Sequence, residues 1–236
     1  MLSVPAAWGD EQALVRGIYE RMLGYFPAKY APWDSKIQLY LQDTSEINAG
    51  AGTIKGQKVI MINRGMLELI ACFAYDLAYA RERDLHTGIE QMLRTASARL
   101  AGQEKVDLPE WRKNLEDPVF CAAYNQYFNA VTAYIIGHEM GHFALKHTDT
   151  TYDDISKAAS QEQELAADAW GLKLVACSGY KYHCLETWGA FMERLENFKG
   201  GDKIPEYLRT HPYWKRRIEN LKQVFDLLKS AGMEGD

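Results

Sequence analysis

The sequence predicts an α+β protein that is mostly helical, with a small sheet of two or three strands near its N-terminal third. Two observations support this class. Short alternating or β-branched apolar stretches cluster between residues 37 and 63, whereas apolar residues recur at helical spacing over much of the remainder. Because the strands form one group and do not alternate with helices, the pattern favours α+β over α/β.

The predicted strands come after a first predicted helix. In residues 11–25 apolar side chains recur every three or four positions, which predicts an amphipathic helix. Pro27 and Pro32 follow it and end the helix. Residues 37–41 alternate and residues 58–63 are rich in branched apolar side chains, so both stretches are predicted to be strands. The glycine-rich residues 48–52 predict a flexible loop or an irregular edge of the sheet.

Further helices are predicted along the rest of the chain. Pro118 suits the first turn of a long helix, and Gly200-Gly201 ends another. Residues 153–160 are interpreted as a connector. The predicted helices cover residues 66–83, 87–100, 118–146, 161–177, 182–198 and 212–230.

Composition excludes several classes of protein. Of the 236 residues, 47% are hydrophobic and 25% are charged, as in ordinary soluble globular proteins. The net charge of −5 and the acidic pI of about 5.7 argue against a nucleic-acid binder. No apolar run is long enough for an integral membrane segment, and no signal peptide is visible. Four cysteines without a C-x-x-C pair favour free thiols. We therefore expect a cytoplasmic protein, or an exported one if a signal peptide has been removed.

The most informative feature of the chain is the sequence His-Glu-Met-Gly-His at residues 138–142, which spells H-E-x-x-H. On a helix, His138 and His142 lie one turn apart and point the same way, so that both can bind one metal ion. Glu139 then lies where it can take a proton from a metal-activated water. The preceding residues 130–137 are almost uncharged, which favours a buried helix over an exposed helix with two surface histidines.

A catalytic zinc ion usually has three protein ligands. The spacing of the metzincins would require glycine at position 145 and histidine at position 148, but these are Leu145 and Thr148. His147 is one residue away from that spacing and is expected to be exposed. The alternative is a second helix, on which Glu164 can reach the metal while Asp168, one turn later, accepts a hydrogen bond from a liganding imidazole.

Small residues at matching positions predict that these two helices approach closely. Gly137 and Gly141 flank the H-E-x-x-H motif, and Ala167 and Gly171 flank Asp168. Such positions allow two helix backbones to come close together. The aromatic residues that precede the motif at helical spacing are interpreted as core: Tyr124, Tyr127, Phe128 and Tyr134.

H-E-x-x-H followed by Glu164-x-x-x-Asp168 resembles the gluzincin metallopeptidases of the HtpX and CAAX-prenyl-endopeptidase type. Residues 59–67 and residues 210–212 also resemble segments of that family. The resemblance implies a zincin-like fold, one Zn²⁺ ion per chain and peptide hydrolysis with Glu139 as general base. Its zinc ligands would be His138, His142 and Glu164.

The resemblance also indicates His211 and Arg217 as active-site residues that stabilise the oxyanion. From the residues alone, His211 before a proline fits the start of a helix equally well, and Arg217 could instead support Asp168 or Glu164. The stretch before the motif is longer than in that family. Residues 84–118 are therefore interpreted as an insertion, either a lid or a partner surface, within a single domain of residues 1–236. The absence of membrane helices indicates a soluble member.

The predicted function is a zinc-dependent endopeptidase that acts on extended or unfolded polypeptides. Residues 48–52 could present an exposed strand edge to which a peptide adds by main-chain pairing. The alternative is a zinc-binding chaperone or adaptor with the same fold and little turnover. The presence of Glu139 favours the enzyme, since a scaffold has no need of a general base. A third interpretation is a zinc hydrolase with a non-peptide substrate, but no residue of the sequence supports it.

Overall fold

A computed structural model of the protein describes residues 8–26, 37–83, 117–149, 157–180, 187–192 and 214–231. These residues form a mostly helical structure with one small sheet, so the predicted α+β class is confirmed. A 3₁₀ turn at His147–Asp149 and a helical segment at residues 187–192 complete the described elements. The longer elements are α1 (Trp8–Gly24), β1 (Ile37–Gln42), β2 (Ala49–Ile54), β3 (Gln57–Asn63), α2 (Arg64–Arg83), α3 (Pro118–Ala144), α4 (Lys157–Cys177) and α5 (Trp214–Ser230).

The sheet has the strand order β1-β3-β2, with β1 parallel and β2 antiparallel to β3. The connection from β2 to β3 is a two-residue turn in which Lys55 and Gly56 both have positive φ, 50° and 80°. This combination is that of the tight hairpin turns whose twist matches the twist of the paired strands. In the strand order of the described residues β2 lies at one edge of the sheet, and most of the glycine-rich stretch 48–52 belongs to this regular strand.

Helix α3 lies at the centre of the described elements. Its start is set by local chemistry, because Pro118 occupies the first turn and the Asp117 side chain accepts a hydrogen bond of 2.9 Å from the backbone N–H of Val119. Buried residues lie on all faces of this helix over most of its length. The helices α1, α2 and α4 and the strands β2 and β3 all contact it. An apolar helix surrounded in this way is a core helix, as the sequence predicts for residues 130–137.

Helices α3 and α4 pack with their backbones in close contact. A Cβ atom added at Gly171 would lie 2.7 Å from the backbone nitrogen of His138, and one at Gly141 would lie 2.7 Å from the carbonyl oxygen of Ala167. Gly137 faces Gly171 at a similarly short distance. The close approach predicted from small residues is therefore observed, and it places the side chains of α4 directly against the H-E-x-x-H motif.

The observed elements differ from the predicted ones mainly at their ends. Residues 157–160 were expected in a connector but belong to α4, consistent with the good helix formers Ala158 and Ala159. Helix α3 ends at Ala144, two residues earlier than predicted. The predictions for residues 84–116 lie outside the described residues. No helix in the described ranges combines the length and apolarity that a membrane crossing requires.

We predict that Gly171→Ala lowers the free energy of unfolding by about 1–3 kcal/mol, because the added methyl group must push the α3 backbone away. Urea unfolding in the presence of a chelator measures this effect without a contribution from bound metal. The matched control is Gly17→Ala on α1, where the described residues place no heavy atom within 4 Å of the added methyl group apart from the backbone of the helix itself. There alanine is expected to raise the free energy of unfolding by about 0.5–1 kcal/mol. Equal effects of the two substitutions would contradict the close contact.

Candidate metal centre

Three donor groups from α3 and α4 meet at one point in the interior. The Nε2 atoms of His138 and His142 are 3.0 Å apart, and each lies 3.3 Å from a carboxylate oxygen of Glu164. All three side chains are buried, and among the described residues they form a group able to hold a metal ion. Tetrahedral zinc with bonds of about 2.0–2.2 Å separates neighbouring ligand atoms by roughly 3.3–3.5 Å. The two histidine–carboxylate distances match this range, and the distance of 3.0 Å between the two imidazole nitrogens is a few tenths of an ångström shorter.

The electrostatics of this group favour a cation. Burial by itself lowers the pKa of His138, but the carboxylates of Glu164 and Asp168 outweigh burial and raise the pKa to about 10. Two buried carboxylates next to one imidazole therefore create a position where positive charge is stabilised. A divalent ion between the two imidazoles and Glu164 would supply that charge and would satisfy all three donor groups. The residues present therefore fit a metal ion.

Asp168 lies on the far side of His138 from this point. Its Oδ1 atom is 2.8 Å from His138 Nδ1, and it also accepts a hydrogen bond of 2.7 Å from the Tyr134 hydroxyl. Burial raises the pKa of Asp168, but Arg217 and then His138 hold the pKa well below its usual range. An ionised Asp168 accepts the Nδ1 proton of His138, which leaves Nε2 of that ring available to the metal.

Arg217, on α5, is almost completely buried against the same carboxylate. Its Nε donates to Asp168 Oδ2 at 2.7 Å, and its Nη2 donates to Asp168 Oδ1 at 2.6 Å. Its Nη1 lies 3.8 Å from Glu164. Of the two roles that the sequence left open for Arg217, this bidentate geometry matches support of Asp168.

Glu139, which the sequence predicts to be the general base, is buried close to the charged groups of this centre. It is 1% exposed and comes directly after His138 on α3. Burial raises the pKa of Glu139, while the positive charge of His138 and His142 opposes the rise. A buried carboxylate with a raised pKa is suited to accept and return a proton. Of the three predicted catalytic residues, Glu139, His211 and Arg217, only His211 lies outside the described residues.

Two residues of this environment were not identified by sequence reasoning. His147 was expected to be exposed, and that prediction is wrong, because the residue is partly buried and its Nδ1 lies 3.1 Å from Nδ1 of His142. Burial, followed by the charge of His142, lowers the pKa of His147 to about 4.

Tyr134 was interpreted as core; it is buried and stacks on Trp188, but its hydroxyl also binds Asp168. In the sequence, this contact is indicated only by the position of Tyr134 one helical turn before His138, which places both side chains on one face of α3.

We predict that Arg217→Ala lowers the free energy of unfolding by about 3–5 kcal/mol, because it leaves the Asp168 carboxylate buried without its guanidinium partner. The neighbouring arginine provides the control. Arg216 forms an ion pair with Glu162 in which both side chains are more than half exposed, so Arg216→Ala should change stability by at most about 1 kcal/mol. Thermal or urea unfolding of both variants measures the contrast, and a small effect at position 217 would refute the buried network.

The candidate centre lies within a match to a known family. Residues 78–233 match the family model described as peptidase U49, and this range contains α3, α4 and α5 with every side chain of the centre. Comparisons with curated proteins and with solved structures gave no match. Because the family match extends over more than half of the sequence, the chain belongs to the peptidase U49 family.

Proposed function

We propose that the protein is a zinc-dependent endopeptidase that hydrolyses peptide bonds of extended or unfolded polypeptides. The observation that carries the proposal is the buried convergence of His138, His142 and Glu164 around one point, in a chain that belongs to a peptidase family. The proposal includes the gluzincin arrangement, in which the third ligand comes from a second helix.

Two imidazoles and one carboxylate are a ligand set that suits a catalytic zinc ion and leaves one position for water or substrate. When bound, zinc lowers the pKa of a water towards about 7 and polarises the substrate carbonyl. In the proposed reaction Glu139 accepts a proton from the attacking water and returns it to the leaving amine. The burial of Glu139 keeps this carboxylate out of bulk water.

The residues behind the ligands hold them in place for this reaction. Asp168 orients the His138 ring, and the Tyr134 hydroxyl and the Arg217 guanidinium hold the Asp168 carboxylate. We assign Arg217 this positioning task because its Nε and Nη2 atoms both donate to Asp168. The negative charge that develops on the substrate oxygen requires a further donor, and we assign that role to His211 on the family resemblance.

An extended polypeptide also fits the edge of the sheet. Strand β2 lies at the edge, and it contacts α3 and the 3₁₀ turn after the motif. Apart from the chain neighbours, no heavy atom of the described residues lies within 4 Å of a Cβ atom added at Gly50 or Gly52, so the sheet faces at these two positions leave room for substrate side chains. A peptide that pairs with β2 through main-chain hydrogen bonds would lie extended next to the H-E-x-x-H helix.

We predict that Glu164→Ala lowers the affinity for zinc by more than about 100-fold, because it removes one of the three ligands. Competition against a calibrated zinc chelator measures the dissociation constant. Glu162→Ala is the control, since Glu162 lies on the same helix but its side chain is exposed and paired with Arg216. Unchanged zinc affinity in Glu164→Ala would exclude this residue as a ligand.

We predict that Glu139→Gln lowers kcat/KM for an unfolded substrate such as casein by about 100-fold or more, while the zinc content stays at one ion per chain. The amide cannot accept the proton of the attacking water. The control is Glu162→Gln, which should cleave at the wild-type rate. Stoichiometric zinc with equal cleavage by wild type and Glu139→Gln would refute the peptidase and leave the zinc-binding chaperone or adaptor.

A further inference from the structure

The two metal-binding imidazoles are each contacted on both ring nitrogens. His138 has Nε2 towards Glu164 and Nδ1 towards Asp168 at 2.8 Å. His142 has Nε2 towards Glu164 and Nδ1 towards Nδ1 of His147 at 3.1 Å. The second arrangement has the same form as the first, with a histidine in the place of the carboxylate.

Tautomer chemistry fixes the direction of the hydrogen bond between His142 and His147. A neutral imidazole has one N–H group, so a ring that binds metal through Nε2 carries its proton on Nδ1. His142 Nδ1 is then the donor, and His147 Nδ1 must be the acceptor with its own proton on Nε2. The distance of 3.1 Å lies within the range of such a hydrogen bond.

We propose that His147 is a positioning residue for His142: it accepts the Nδ1 proton, fixes the tautomer and holds the ring so that Nε2 faces the metal. This inference rests on the proposed metal-dependent function and adds a residue to it. His147 holds the His142 ring less firmly than Asp168 holds the His138 ring, because a neutral imidazole is a weaker hydrogen-bond acceptor than a carboxylate.

The backbone after α3 brings His147 to this position. The helix ends with hydrogen bonds from Leu145 N–H to Gly141 O and from Lys146 N–H to Phe143 O. Lys146 then adopts a φ of 60°, a conformation that residues with a Cβ atom rarely adopt. The chain turns back at this residue, and the 3₁₀ turn His147–Asp149 lies against both α3 and β2. The surrounding structure therefore maintains an unfavourable backbone conformation at the residue that precedes His147.

Packing and hydrogen bonding at His147 can be separated by substitution. The rings of His142 and His147 have centroids 5.2 Å apart and meet at 69°, an edge-to-face contact that phenylalanine would retain. Phenylalanine has no acceptor. In asparagine, Oδ1 is as many bonds from the backbone as histidine Nδ1, so asparagine restores an acceptor without the ring.

The experiment compares zinc dissociation constants of wild type, His147→Phe and His147→Asn by chelator competition, together with the visible spectra of the cobalt-substituted proteins. His147→Phe is expected to bind zinc about 10- to 100-fold more weakly and to shift the cobalt absorption bands. His147→Asn is expected to recover most of the affinity and the wild-type spectrum. Lys146→Gln, a change of an exposed side chain in the same turn, should match wild type in both measurements.

Two results would overturn the inference. One is wild-type zinc affinity and an unchanged cobalt spectrum in His147→Phe. The other is a loss in His147→Asn as large as in His147→Phe, which would show that a hydrogen-bond acceptor at this position does not restore zinc binding. If His147→Phe fails to fold without metal, as judged by circular dichroism, His147→Ala takes its place in the same comparison. A wild type that binds zinc no better than Glu164→Ala would instead refute the proposed function itself.

Discussion

The close contact between α3 and α4 is the constraint that makes the other features of this protein possible. Because Gly137, Gly141 and Gly171 carry no side chain, the two backbones touch. Carboxylates of α4 therefore reach imidazoles of α3 within the buried interior. Larger residues at these positions would separate the helices, and Glu164 and His142 would no longer share one point. The packing of α3 against α4 thus decides whether the three potential metal ligands can converge.

The same contact creates an electrostatic problem that the remaining elements solve. It buries two carboxylates and two histidines, and a buried charge without partners is costly. Arg217 from α5 and the hydroxyl of Tyr134 from α3 both bind Asp168, which links three helices through one carboxylate. The position of α5 is therefore coupled to the geometry of the centre. The stability of the fold and the orientation of the His138 ring rest on one set of hydrogen bonds.

The two imidazoles are supported unequally. His138 is held by a fully buried carboxylate, whereas His142 is held by His147, a partly buried residue on a turn next to the edge strand β2. The firmer support lies deep in the core, and the weaker support lies on the side where an extended peptide would pair. A substrate bound along β2 would therefore lie close to the turn that carries His147.

Local periodicity in the sequence was enough to predict the helices of the centre and the side chains that share their faces, whereas long-range packing decided the remaining contacts. The helical spacing of H-E-x-x-H and of Glu164-x-x-x-Asp168 decides which side chains share a face, and the small residues predict the close helix contact. Asp117 and Pro118 place the start of α3 within one turn. These features depend on neighbours in sequence, and short-range sterics decide them.

The edge position of β2 depends instead on a crossover between strands, which no alternation pattern specifies. The partners of Arg217 depend on how α5 packs on α4. The position of His147 depends on a lysine in a left-handed conformation, which its residue type disfavours and the surrounding contacts maintain. Such features arise from the total packing energy of the chain, so no single segment contains the information that specifies them.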